Sequence, residues 1–169
     1  MSKLLVNNIG PKDASNTTAM AIDSIGRVTN PNVPFIFADC DNGSSAGFDT
    51  LANGSSVNFR NVISSRGGMA LDTSSFYITI PVTGIYQVNC QIMNNNSETL
   101  EFGLYNSSTS GYQARWIDVT TRSINIHQAM PFTANDQISF RNTTGNNLGI
   151  HRNTDATDRY TMVSMYLIG

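Results

Sequence analysis

The run at residues 85–93 limits the fold more than any other stretch. Tyr86, Val88, Cys90 and Ile92 fall in one phase, and Gln87, Asn89 and Gln91 in the other. A period of two describes a strand with one buried and one wetter face. Phe76, Ile78 and Ile80 repeat the pattern just upstream, alternating with Tyr77 and Thr79, and Pro81-Val82-Thr83-Gly84 links the two runs. Further candidate strands lie at 57–59, 100–104, 114–119, 124–126 and 138–140. No window shows a helical period. The chain holds only two Glu and two Lys among its 169 residues, so the best exposed-helix formers are almost missing. Its 20 Asn, 18 Ser and 17 Thr favour turns and strands instead. Many short strands separated by turn clusters predict an all-β jelly-roll β-sandwich.

Charge narrows the function. Ten basic against 12 acidic residues give a net charge of −2, which argues against nucleic acid as the main partner. No apolar stretch approaches the roughly 20 residues of a membrane helix. The only early apolar run, Leu4-Leu5-Val6, is too short for a secretory signal, so cytoplasmic synthesis without a cleaved leader is expected. Cys40 and Cys90 form neither a metal motif nor a disulfide framework, and Cys90 reads as a buried small hydrophobe.

The chain divides into residues 1–31 and 32–169. The first segment has no aromatic residue and too little apolar area to fold alone. It reads as a strand at 4–9 followed by short strands at 19–22 and 27–29 joined by a turn ending in Gly26. Leu4, Leu5, Val6, Ile9, Met20, Ile22 and Val28 are its candidate docking residues. Two prolines in Asn30-Pro31-Asn32-Val33-Pro34 mark the boundary. At the other end, the strand at 160–168 is apolar in both phases: Tyr160, Met162, Tyr166 and Ile168 in one, Val163, Met165 and Leu167 in the other. Such a strand is covered on both sides. One face meets the core; the other meets either a second subunit, the favoured reading, or covering loops.

Chemistry-bearing motifs are few. There is no Walker loop, no Gly-x-Gly-x-x-Gly and no Gly-x-Ser-x-Gly elbow, and Ser65-Arg66-Gly67-Gly68 reads as a turn. His127 falls in the polar phase of its strand, and His151 in a loop-like region. No enzyme activity, cofactor or resident metal is expected. Asp155 and Asp158 offer oxygens to Ca²⁺, but no full ligand set accompanies them, so a polar loop is the favoured reading. Tyr105 and Tyr112 flank the turn-rich stretch 106–111, and with His151 they are the candidate ligand-loop residues. Trp116 reads as core.

Residues 59–63 and 76–88 resemble the C1q/TNF-like globular domain. The carrying pattern is Phe76, Pro81, Gly84 and Tyr86 just before a central strand. Residues 132–138 are similar to that family's Gly-Asp entry to a late strand, with Asn135 in place of Gly. Residues 162–168 are similar to its closing strand, with Ser164 in place of Gly. The resemblance covers about 35–169 and implies a ten-stranded jelly roll that assembles as a homotrimer. Tyr86, Val163, Met165, Tyr166 and Leu167 are then the candidate interface residues. Residues 2–9 and 19–31 resemble the start of many bacteriophage fibre and head-decoration proteins, often from marine or cyanobacterial phages. Together the resemblances imply a virion protein. An arm with one knob and no shaft suits a capsid decoration protein on the outer surface of the head, with the major capsid protein as partner. The alternative is a receptor-binding tip of a short tail fibre facing a host surface glycan.

Overall fold

The computed structural model describes residues 32–40, 47–152 and 159–169 in full, and the backbone pairing of 8–9, 20–22 and 28–29. The N-terminal segment contributes β1 (Asn8–Ile9), β2 (Met20–Ile22) and β3 (Val28–Thr29), which pair in that order as an antiparallel sheet. Asn8 is in register with Ala21, and Ala21 with Thr29. Leu4, Leu5 and Val6 lie outside the described residues, as do Asp155 and Asp158. Among the described residues the arm sheet shares no strand pairing with the larger sheet.

The rest forms the knob, from β4 (Phe35–Asp39), β5 (Phe48–Leu51), β6 (Asn61–Arg66), β7 (Ala70–Asp72) and β8 (Tyr77–Thr79) to β9 (Gly84–Asn106), β10 (Gly111–Phe132), β11 (Gln137–Asn142), β12 (Leu148–His151) and β13 (Met162–Leu167). The registers divide it into two antiparallel layers. In one the order is β6-β4-β13, then the first half of β9, then the second half of β10: Met165 lies opposite both Ile36 and Val88, and Val88 opposite Gln128. In the other it is β7-β8-β11, then the second half of β9, then the first half of β10: Tyr105 lies between Ser139 and Tyr112. Two long strands therefore pass from one layer to the other. An extended strand of 23 residues spans roughly 75 Å, yet Ile85 and Asn106, from opposite ends of β9, line one cleft. The strand must fold over in its middle.

The corner is built from polar residues. Register shifts fall between Asp118 and Ser123 on β10, opposite Met93 to Leu100 on β9, and Thr120 has a φ of 56°. Bulges of this kind bend a strand and increase its twist. Inside the corner, Asn94 is wholly buried. Its Nδ2 donates to the Asn96 carbonyl at 3.1 Å and to Glu98 Oε1, and its Oδ1 accepts the Gly149 N–H at 2.9 Å. Every polar atom of that side chain is engaged, which is what makes its burial tolerable. On the open edge Trp116, partly buried against the core, donates from Nε1 to Gln128 Oε1 at 3.2 Å. This ties the two halves of β10 together.

The core follows the alternation. Tyr86, Val88, Cys90 and Ile92 are all buried, together with Ile78, Ile80, Phe102, Leu104, Ile138 and Phe140. Expected strands at 100–104, 114–119 and 124–126 are parts of β9 and β10. Residues 57–59 are not a strand, although Val57 and Phe59 are core residues; Val57 N–H instead donates to the Phe140 carbonyl at 2.7 Å. Of Ser65-Arg66-Gly67-Gly68, expected as a turn, the first two residues end β6 and only Gly67 and Gly68 form the turn, at φ of 60° and 84°. The family-type turn before β11 is present with Asn135 at φ 70°, and the Asp136 carboxylate accepts the Thr133 N–H at 2.8 Å. Asn tolerates this left-handed region, and a β-branched side chain does not. Asn135→Gly is expected to change stability by only a few tenths of a kcal/mol, and Asn135→Val to lower it by about 1–2 kcal/mol, read by urea denaturation.

Candidate functional site

Three surfaces hold the residues singled out by the sequence. The first is the outer face of the β6-β4-β13-β9-β10 layer. Of the five candidate interface residues, Tyr86, Val163 and Met165 are 0 % exposed within a single chain. They are core residues and leave nothing for a partner to cover. Val163 is in register with buried Ala38 and Cys90, and Met165 with buried Ile36 and Val88, so both share the inward face; Leu167 is partly buried against the same core. Tyr166 alone of the five is exposed, at 38 %. The second apolar phase does face outward, through Met162 and Tyr166. Met162 and Ser164 join Phe37, Asn89, Asn125 and His127 around a shallow concavity of about 150 Å³. At its centre Asn89 Oδ1 lies 3.1 Å from His127 Nδ1 and accepts from Gln87 Nε2 at 3.2 Å, while Asn89 Nδ2 donates to Ser164 Oγ at 3.4 Å. Ile85 and Ile168, joined through their backbones, extend this face as exposed apolar residues.

The second surface is the outer face of the opposite layer. Tyr105 and Tyr112 are not on a loop: they sit opposite each other on β9 and β10, beside the hairpin, with ring centroids 5.3 Å apart edge to face. The Arg141 guanidinium lies 3.5 Å from the Tyr105 centroid, and Arg115 lies 4.5 Å from that of Tyr112. Arg141 Nη2 also donates to the Tyr77 hydroxyl at 2.6 Å, and Arg115 pairs with Glu101 at 3.5 Å. Gly103 stands in register between Arg141 and Arg115, and any side chain there would collide with the Tyr112 ring. A glycine inside a strand is the sequence signal for such a close approach.

His151 does not join the two tyrosines. It closes β12, which pairs with β5 and touches β9 at Asn94, in the folded corner. Its ring meets Phe48 edge-on at 4.3 Å and lies 5.2 Å from Tyr160. Burial, then the nearby Arg122 charge, lowers its pKa. The unfolded chain therefore binds the proton more readily, and stability is complete above the ordinary histidine pKa of about 6.5 and falls as pH drops through the lower folded value. His151→Phe is expected to flatten that acid limb in a series of thermal melts between neutral and mildly acid pH.

The thiols of Cys40 and Cys90 are both free and buried, and desolvation raises their pKa well above the ordinary value. Such thiols are poor nucleophiles at neutral pH. No group of three His, Cys, Asp or Glu side chains that could hold a metal ion occurs among the described residues. What these faces offer is hydrogen bonding, stacking and apolar contact.

The architecture, two layers sharing two folded-over strands, is that of a C1q/TNF-like jelly roll. The chain is similar to the Eiger TNF of S. frugiperda with a TM-score of 0.68 and 13 % identity, over 82 % of this chain and 94 % of that one. Murine APRIL matches with a TM-score of 0.60 and 12 % identity, over 80 % and 99 %. The globular domain of zebrafish complement 1qA matches with 0.57 and 12 %, over 82 % and 98 %. At these identities the likeness establishes the fold. No family model matches the sequence, and no curated protein matches it.

Proposed function

We propose that the protein is a non-enzymatic structural component of a bacteriophage virion, a homotrimeric jelly-roll knob that decorates the capsid through its N-terminal arm. The observation carrying this reading is the division into two sheets: β1-β2-β3 pair among themselves and, among the described residues, share no ladder with the knob. A small sheet with an apolar composition but little area of its own is suited to adding strands to, or lying across, neighbouring subunits of a shell. The phage-like character of residues 2–9 and 19–31 supports the virion setting. Trimerisation draws support from the surface. Ile117 and Val119 on β10 are 64 % and 66 % exposed, on the strand that forms an edge of both layers. Tyr166 and Ile168 are exposed on the face of the first layer. An apolar edge and an apolar face on one molecule form a heterologous pair, and such a pair closes into a ring when the rotation allows.

The second reading, a receptor-binding tip on a short tail fibre, is favoured by the Tyr105–Tyr112 surface, where aromatic and guanidinium groups stand among uncharged polar residues. Immunogold labelling of intact particles with antibody to this chain separates the two. Gold over the head is the expected result; gold confined to the tail would replace the decoration reading with the fibre tip. Light scattering on the isolated protein is expected to give about 55 kDa, three chains of 18.4 kDa each; a monomer would overturn the trimer.

A further inference from the structure

Because β9 and β10 fold over, all four of their ends converge at one end of the sandwich. Between them opens a cleft of about 490 Å³, within the roughly 300–1,000 Å³ common for small-ligand sites. It lies at the end opposite the Asn94 corner and is distinct from the Tyr105–Tyr112 face.

Its polar groups come from two sides. Thr109 and Gln113 stand on the hairpin side, and Thr83 and Asp136 on the side of the turn before β11. Thr83 Oγ1 accepts the Ala134 N–H at 3.0 Å, which leaves its own hydrogen to donate. Asp136 is nearly buried. Its Oδ2 accepts the Thr133 N–H at 2.8 Å, and Oδ1 has no hydrogen-bond partner among the described residues. Asn106, at the end of β9, is 0 % exposed and lines the same cleft. Its Oδ1 accepts the Ser108 N–H at 2.9 Å, but its Nδ2 has no partner among the described residues. A buried amide hydrogen without an acceptor is uncommon, and this residue borders the cleft. Ile85, half exposed, and Pro131 supply an apolar wall.

We infer that this cleft binds a neutral saccharide, with vicinal hydroxyls hydrogen-bonded to Asp136 and Gln113 and the C–H face of the ring against Ile85 and Pro131. The lining carries one carboxylate and no cationic side chain, so it repels an anionic ligand. One carboxylate is also far short of the six to eight oxygens a calcium site needs. Mixed donors and acceptors in a nearly uncharged lining match a hydroxyl-rich molecule, whose groups both give and take hydrogen bonds. The proposal does not depend on whether the knob sits on a head, on a tail or on neither.

The test uses the full chain and four neutral probes, glucose, galactose, mannose and N-acetylglucosamine, with sialic acid as the anionic comparison, read by saturation-transfer NMR and titration calorimetry. At least one neutral probe is expected to bind, and Gln113→Ala and Asp136→Asn are each expected to weaken it about tenfold or more, the loss of one hydrogen bond to a charged or buried partner. Asp136→Asn keeps an oxygen for the Thr133 N–H, and Gln113 is on the surface side of β10, so both variants should melt like the parent. Tyr112→Ala is expected to leave the affinity unchanged. The inference is overturned if no neutral probe binds, if sialic acid binds more tightly than all of them, or if binding survives Gln113→Ala and Asp136→Asn but is lost in Tyr112→Ala.

Discussion

Tyr86→Ala is expected to remove most of the stability of the knob, lowering the unfolding free energy by about 4–5 kcal/mol. The side chain is 0 % exposed and meets Phe132 edge to face with centroids 6.0 Å apart. Its hydroxyl donates to the Val82 carbonyl at 2.9 Å. Truncating a buried aromatic to alanine costs about 3–5 kcal/mol through lost transfer energy and the cavity left behind. The orphaned Val82 carbonyl adds roughly 1 kcal/mol. Against a typical stability of about 5–15 kcal/mol, this leaves little margin. Tyr86→Phe isolates the hydroxyl and should cost only about 1 kcal/mol. Urea denaturation at one fixed protein concentration measures both, since self-association would otherwise shift the midpoints. A loss below about 1.5 kcal/mol for Tyr86→Ala would mean that this tyrosine is not packed in the core of the protomer, and the interface role expected from sequence would return.

That residue also shows where sequence reading succeeds and where it stops. The alternation Tyr86, Val88, Cys90, Ile92 identified the strand and its inward face, because burial on one side of a pleated strand repeats with period two. It did not reveal whether the inward face met its own core or a partner. Val163 and Met165 raise the same ambiguity: both phases of β13 are apolar, and only register with buried residues of β4 and β9 assigns one phase to the core. The expected strand stops at Met93, before the polar stretch Asn94-Asn95-Asn96-Ser97, yet β9 continues through it. The reason is tertiary: a buried Asn94 bonded to Asn96, Glu98 and Gly149 holds a corner inside a continuous ladder. The turn at Asn135 was legible only through the family resemblance, and the structure shows the left-handed backbone that Asn tolerates there. The cleft at Asn106 and Asp136 was not legible, since its lining comes from positions distant along the chain and joined only by the folding over of β9 and β10.

Deleting residues 2–29 is expected to leave a folded knob of unchanged thermal stability that no longer binds phage heads. The first half of that expectation follows from the pairing. Among the described residues no ladder joins β1, β2 or β3 to the knob, and every buried core residue lies beyond 35. The second half follows from the arithmetic of multivalency. If each arm binds a neighbouring capsid subunit only weakly, three arms on one trimer make the second and third contacts intramolecular, raising avidity by about 10²–10⁴ over a single arm. Removing the arms removes the whole gain, whereas a variant impaired in one patch of the arm, such as Ile22→Asp, should retain partial binding that weakens steeply with dilution. Co-sedimentation with heads stripped of this protein reads both variants, and light scattering reports whether the deleted form keeps the mass expected for three chains. Head binding retained by the deleted form would transfer attachment from the arm to the knob, and the exposed face at Tyr166 and Ile168 would then have to serve the shell instead of a neighbouring copy.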